Sequence, residues 1–176
     1  GVKGRSQLPG YVDRYMKGEI KIDLVTTSDE AELAFQEAER LTTRDREKAA
    51  AAYRKALTLR PAYAEASLAL ARVLLDSGDV EGSQKAIIAA KKLRLGYAEA
   101  SAVEGRIHKE SGEEEKAVAA FKRAIAEGKG FQPEAYTGLG LLYKEKAEAA
   151  AGSGDFEAET ANYAEAAKNL KIAIKK

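Results

Sequence analysis

The sequence predicts an all-α protein, a helical solenoid of about four helix pairs, and the main reason is a 34-residue period. Three sets of residues recur at this step: Tyr53, Ile87 and Phe121; Ala56, Ala90 and Ala124; and Tyr63, Tyr97 and Phe131. The glycines Gly78 and Gly112 keep the same spacing. A period of this length is typical of two-helix units that cannot bury their apolar faces alone and therefore stack.

The composition fits such a protein and argues against several classes of function. Charged residues make up 32% of the chain and the formal net charge is +1, so no overall field favours nucleic acid or an anionic membrane. The chain has no cysteine, which excludes disulfides, a thiolate nucleophile and thiolate metal ligands. No run approaches the roughly 20 apolar residues that cross a bilayer. These features favour the cytoplasm, or the periplasm if a signal segment was removed before Gly1.

Residues 1–28 do not follow the period and are predicted to form a leader. The segment 9–18 is bounded by proline and glycine like a short helix, and the segment 19–25 alternates apolar and polar residues like a strand. A strand needs partners for its backbone groups. We expect this segment to pair with another molecule or to pack as irregular chain along the first repeat. Ser28 is a plausible N-cap for the helix that follows.

From there the sequence predicts helices that alternate with tight turns. The predicted helices are 29–41 and 44–59, 62–77 and 79–93, and 97–111 and 113–127. Gly78 and Gly112 stand where the first helix of a pair must stop. The corresponding repeats are about 29–61, 62–95, 96–131 and 132–176.

The fourth repeat contains a 14-residue insertion. Two bulky residues that are 13 apart in the earlier repeats are 27 apart here, at Tyr143 and Leu170. Strong helix formers lie on both sides of the segment 152–154, which reads Gly-Ser-Gly. We therefore expect both helices to be longer by about two turns, roughly 10 Å each. The alternative is a disordered loop rich in Ala, Gly and Glu.

Inside each unit the pattern resembles that of the tetratricopeptide repeat (TPR) family, over about residues 29–176. The residues that carry it are the small Ala71, Gly105 and Gly140 in the first helices, the bulky Leu74, His108 and Tyr143 three positions later, the second-helix patterns Ala49–Tyr53–Ala56 and Ala117–Phe121–Ala124, and Pro61 at a repeat end. The resemblance implies a right-handed helical solenoid whose first helices line a concave groove, and it implies that the chain binds protein partners.

A second resemblance covers residues 1–35, which are similar to the C-terminal segment of class III alcohol dehydrogenases through the stretch GVKGRSQLPGYVDRYMKGEIKID. It carries no activity with it, because that family binds zinc with Cys and His, and this chain has no cysteine and one histidine. A recombined gene fragment, a cloning fusion or chance likeness in an ordinary leader would each explain the match.

The remaining residues of the sequence do not form a pattern typical of a catalytic site. His108 is the lone histidine, stands at a packing position, and has no partner placed to form a triad. The glycine-rich segments 138–140 and 152–154 lack the spacing of phosphate-binding loops. Glu65, Glu99 and Glu134 lie in first helical turns, where the helix dipole accounts for them. We therefore expect no enzyme activity, no cofactor and no metal site.

The TPR resemblance places a partner-binding groove on nine residues: Leu68, Arg72, Asp76, Val103, Arg106, Lys109, Thr137, Leu141 and Lys144. Its cations would favour acidic groups and its aliphatic side chains would favour apolar ones, so the expected ligand is an acidic-aliphatic peptide segment. Asn162 is the first asparagine of the chain, so the Asn-containing carboxylate clamp of some TPR domains is absent. The alternative is that the cations form only a solvated face.

The sequence thus predicts a protein–protein interaction module or scaffold that holds a partner segment or helix in the groove. One alternative is a structural protein that assembles with itself through an uncapped C-terminal end, where Leu170, Ile172 and Ile174 lie. A second alternative, suggested by residues 1–35 alone, is a non-catalytic accessory to a dehydrogenase.

Overall fold

The computed structural model describes residues 27–175, and every regular element in that range is an α-helix. In chain order the helices are α1 Thr27–Leu41, α2 Arg46–Leu59, α3 Ala64–Asp76, α4 Val80–Leu93, α5 Ala98–Glu110, α6 Glu114–Glu127, α7 Pro133–Ser153 and α8 Phe156–Ala173. The predicted all-α fold class is confirmed for this range. The leader's predicted helix and strand lie outside it, and Ser28 lies within α1 rather than capping it.

The helices begin and end at capping residues and turn glycines that recur along the sequence. Asp79 accepts a hydrogen bond from the Gly82 backbone N–H at 2.8 Å, and Asp45 accepts one from Lys48 at 3.0 Å. Such side-chain caps satisfy amide groups that the first turn of a helix leaves unpaired. Gly78 and Gly112 adopt φ values of 83° and 71° after α3 and α5, a conformation that glycine reaches without strain. Each glycine lets the chain reverse within three residues.

The helices stack as antiparallel pairs, α1–α2, α3–α4, α5–α6 and α7–α8. Each second helix also packs on the first helix of the next pair, and the first helices α3, α5 and α7 contact one another in succession. The second helices make no comparable contact among themselves in the described residues. The first helices therefore line the inner, concave side of the stack, and α2, α4 and α6 lie on the outer, convex side.

Close helix packing around Phe121 explains why glycine occupies two positions in the third and fourth pairs. Phe121 on α6 is fully buried between α5 and α7. A Cβ atom at Gly105 would lie 2.5 Å from the Phe121 ring, and one at Gly138 would also overlap it. Gly140 packs closely on Leu170 in the same way. A Cβ atom added at Gly140 would lie 2.6 Å from the Leu170 Cγ. Any side chain at these positions would push the helices apart.

The 14 extra residues of the fourth pair are helical in the structure. α7 has 21 residues where α3 and α5 have 13, and α8 begins seven residues earlier, relative to Leu170, than α4 does relative to Ile87. Gly154, at φ 77°, ends α7, and Asp155 caps α8 by accepting from the Ala158 N–H at 3.0 Å. The far end of this hairpin thus extends about 12 Å beyond the ends of α3 and α5, at about 1.5 Å per residue.

Candidate protein-binding surface

Two clefts open on the concave side. The larger, here called the α5–α7 cleft, has a volume of about 370 Å³ and is lined by Arg106, Lys109, Glu110, Phe121, Glu134, Thr137, Gly138 and Leu141. The second, of about 340 Å³, lies where the α1–α2 turn and Tyr53 face α3, and it includes Glu39, Arg72 and Asp76. Both clefts are open to solvent and large enough for side chains of a bound segment.

The structure brings four of the predicted groove residues together. Arg106, Lys109, Thr137 and Leu141 all line the α5–α7 cleft. Leu141 is 45% exposed, whereas its neighbours Leu139 and Leu142 are buried. Arg72 and Asp76 line the second cleft instead, and Lys144 lies one turn beyond the first.

Two predicted groove residues are placed wrongly. Leu68 and Val103 are 5% and 0% exposed and belong to the apolar core shared by α3 and α5. The prediction put them on the groove by their position within one helix. Because neighbouring first helices pack directly on each other, that position is covered by the next helix of the stack. Neither side chain can contact a ligand without opening the core.

The two arginines of the predicted groove are already paired with carboxylates. Arg106 pairs with Asp76 at 2.6 Å and with Glu134 at 3.7 Å, and Arg72 pairs with Glu134 as well. These contacts form a chain of alternating charges that joins α3, α5 and α7. Each arginine pairs with carboxylates on other first helices, so the two arginines act first as connections between helices.

The lysines of the surface are paired more loosely. Lys109 lies 2.7 Å from Glu145, whose side chain is 58% exposed, and Lys144 pairs with Glu148 on its own helix. Ion pairs of this exposure contribute little to stability, about 0–1 kcal/mol, and exchange readily with solvent or a ligand. The Lys109 side chain is itself 21% exposed, so a ligand carboxylate would reach it by replacing the more exposed Glu145.

The two sides of the stack differ in charge. α1 on the concave side carries five carboxylates and one arginine, whereas α2 behind it carries four cations and one carboxylate. Glu39 and Glu110 line the two clefts and make no ion pair within residues 27–175. The concave side is thus not a cationic surface.

His108 is mostly buried at the end of the third pair, where its Nδ1 lies 2.7 Å from a carboxylate oxygen of Glu113. Hydrogen bonds from Lys116 and, second, from His108 hold the pKa of Glu113 below its ordinary value. In the described residues no group of three or more His, Asp or Glu side chains is arranged to hold a metal ion. None of the helices between residues 27 and 175 has the length and apolarity of a membrane span.

One known protein family matches part of the helical stack. The family model described as tetratricopeptide repeat matches residues 40–107, which run from the end of α1 into α5. Over these residues the chain is similar to tetratricopeptide repeats. No match is found among curated protein sequences.

Solved structures share this helical-repeat fold over most of the chain. A crystal structure of MamA is 22% identical with a TM-score of 0.61, and the match covers 80% of this chain and 78% of that one. MamA from Desulfovibrio magneticus RS-1, residue 41 to its end, gives 18% identity and a TM-score of 0.62, over 83% and 78%. A chain of the APC/C hetero-tetramer Cut9–Hcn1 gives 16% and 0.56, over 81% of this chain and 29% of that one. At these identities the likeness is one of fold.

The family match ends at residue 107, so for α6–α8 the comparisons show a shared fold and not the TPR family. They give no support to the alcohol dehydrogenase resemblance of residues 1–35, most of which lie outside the described range. That resemblance, and the accessory role inferred from it, remain predictions.

Proposed function

We propose that this chain is a non-catalytic protein-interaction module that holds a segment of a partner protein on its concave side, with the α5–α7 cleft as the central contact. The observation that carries the proposal is Leu141, a half-exposed leucine in a cleft otherwise lined by polar side chains and the edge of Phe121. An exposed apolar side chain inside a concave site is a typical anchor for a bound segment.

The charges around the cleft suggest how an acidic-aliphatic segment would bind. An aliphatic side chain of the partner would contact Leu141 and Thr137. A carboxylate of the partner would replace Glu145 at Lys109, because Glu145 is the exposed member of that pair. Arg106 is held by two carboxylates and would shape the cleft rather than bind the ligand. The segment therefore needs one acidic residue near an aliphatic one.

Selection from a displayed library of random peptides would test this proposal. Peptides that bind the immobilised chain should be enriched in an acidic residue close to Leu, Ile or Val. Leu141→Glu should weaken their binding at least about tenfold, which is about 1.4 kcal/mol. Lys109→Gln should weaken it less and should reduce its dependence on ionic strength.

Leu95→Glu is the matched control, because Leu95 is 90% exposed in the loop between α4 and α5, outside the cleft. Peptides that bind the wild type and the Leu141→Glu variant equally would show that the cleft is not the site. Reversal of Arg72 and Arg106 is not a suitable test, since it would set two new carboxylates beside Asp76 and Glu134 and disturb the helix contacts.

Self-association through the end of α8 is a second candidate, supported by the exposure of Ile174 at 79% and the partial exposure of Leu170 and Ile172. Size-exclusion chromatography with light scattering across a range of concentrations measures it directly. Association that disappears in Ile174→Glu would support this end as the contact, and association unchanged by that variant would exclude it.

A further inference from the structure

The far end of the α7–α8 hairpin is acidic and exposes an aromatic ring. Residues 147–165 contain five carboxylates and no Lys, Arg or His. Within them, residues 155–159 form what we call the acidic tip, where Phe156 is 72% exposed. Asp155 is occupied as the helix cap, while Glu157 and Glu159 make no ion pair in the described part of the chain. The tip thus presents an apolar ring flanked by unpaired negative charge.

A surface of opposite charge lies on the convex side. Arg54, Ile88 and Lys122 occupy equivalent positions, 34 residues apart, on α2, α4 and α6, and Lys92 follows one turn after Ile88. We call these four residues the convex ridge. All four are exposed, Ile88 by 45%, and the three cations make no ion pair within residues 27–175. By contrast, Arg72, Arg106 and Lys109 on the concave side are all paired.

The tip cannot reach the ridge of its own molecule. Lys146 on α7 lies 3.0 Å from Glu114 at the start of α6, so α7 passes the start of α6 at this residue. From that point α7 runs away from α6 towards the tip, whereas Lys122 is eight residues along α6 in the opposite direction. Each stretch is about 10 Å or more at about 1.5 Å per residue. The two surfaces can therefore meet only between molecules.

We propose that the acidic tip of one molecule docks on the convex ridge of a second copy of this chain. Phe156 contacts Ile88, and Glu157 and Glu159 lie against Arg54, Lys92 or Lys122. The two surfaces differ, so the contact is heterologous and builds rings or chains rather than a two-fold dimer. Its area is small, which makes the association weak, and its charges make it sensitive to salt. This contact is separate from the concave cleft.

A charge-swap experiment tests the proposal. Sedimentation velocity on the wild type should show association that grows with protein concentration and weakens as salt is added. A ridge variant, Arg54→Glu with Lys122→Glu, and a tip variant, Glu157→Lys with Glu159→Lys, should each be monomeric when alone. An equimolar mixture of the two should associate again, because the acidic ridge of one then faces the basic tip of the other. General loss of folding in either variant cannot produce that recovery.

Apolar variants separate this contact from the others. Phe156→Ser should weaken association several-fold, whereas Ile174→Glu, at the other end of α8, should leave it unchanged. A wild type that stays monomeric at every concentration overturns the proposal, as does a mixture of the two charge variants that fails to associate. A monomeric wild type that binds a poly-glutamate peptide through Arg54 and Lys122 would instead make the ridge a site for an acidic partner, which also overturns self-docking.

Discussion

The second and fourth helix pairs contain similar residues, yet they bury very different amounts of them. α3 buries nine of its 13 residues, including five leucine or valine side chains. α8 buries two of its 18, Ala166 and Asn169, and among the described helices its extensive contact is with α7 alone. Both are regular helices with well-formed ends.

This difference shows that the 34-residue period is a requirement of packing rather than of helix formation. Ala, Glu and Lys form helix with or without neighbours, so the inserted residues extend α7 and α8 easily. A helix in water gains most of its stability from packed tertiary contacts, and the overhanging end has few. We expect the hairpin end to open locally at low cost, while the centre of the stack unfolds as a unit.

The largest difference in stability between the two regions should come from replacing one phenylalanine in each with alanine. Phe121 is fully buried between two glycines and Phe156 is 72% exposed. Phe121→Ala should lower the free energy of unfolding by about 3–5 kcal/mol, since it removes the ring and leaves a cavity. Phe156→Ala should change it by less than about 0.5 kcal/mol. Urea denaturation followed by circular dichroism measures both, and equal losses would contradict the contrast between packed centre and free hairpin.

Glycine substitution should give the next largest difference. Gly105→Leu forces a side chain into the Phe121 ring and should cost about 1–3 kcal/mol through overpacking. At Gly152, near the end of α7, an added Cβ atom meets nothing within 4 Å, so Gly152→Leu should be neutral or slightly stabilising because leucine is the better helix former. Thermal unfolding compares the two variants directly. A melting temperature unchanged by Gly105→Leu would mean that α5 and α6 do not approach as closely as the structure shows.

These packing contacts are the part of the fold that the sequence predicts well. Gly105 and Phe121 are assigned by the 34-residue period, because a repeated unit must repeat its helix crossing. The helix ends at Gly78 and Asp79 are local, since the cap and the turn are formed by residues within a few positions of each other. Such features need no knowledge of how one repeat lies on the next.

The sequence predicts the surface of the groove less well, because that surface depends on how one repeat lies on the next. The pair of Arg72 with Glu134 joins residues 62 positions apart and depends on how three first helices are rotated against each other. The burial of Leu68 and Val103 depends on the distance between α3 and α5. The period assigns equivalent positions to each repeat, but it does not say which of them the next repeat covers.

A smaller effect on stability is expected at high pH, through the hydrogen bond between Tyr63 and Glu32 of the first helix pair. Burial, together with the hydrogen bond that its hydroxyl donates to Glu32 at 2.7 Å, raises the pKa of Tyr63 from 10.0 to about 12. A raised pKa means that the folded state favours the neutral ring, so this stability is complete below pH 10 and is lost as the pH rises towards 12. The stability gap between wild type and Tyr63→Phe should therefore shrink across that window.

Tyr163→Phe is the comparison for that measurement, because Tyr163 is 41% exposed on the hairpin and the structure gives its hydroxyl no hydrogen bond with residues 27–175. Denaturant unfolding of the wild type and both variants at a series of pH values measures the gap. A gap for Tyr63→Phe that stays constant from pH 10 to 12 would show that the neutral ring is not preferred in the folded state.

The smallest difference should come from two helix caps with the same chemistry in different surroundings. Asp79 caps α4 in the packed stack, and Asp155 caps α8 at the overhanging tip. Each accepts a hydrogen bond from the amide three residues later, so each Asp→Ala change removes a cap worth about 1 kcal/mol. For Asp79 that loss should appear in global stability, because α4 cannot unravel without opening the core around Ile87. For Asp155 it should appear as faster hydrogen exchange in the first turns of α8, with almost no change in the melting temperature. If Asp155→Ala lowers the melting temperature as much as Asp79→Ala does, the hairpin end is coupled to the stack, and the low burial of α8 understates how firmly it is held.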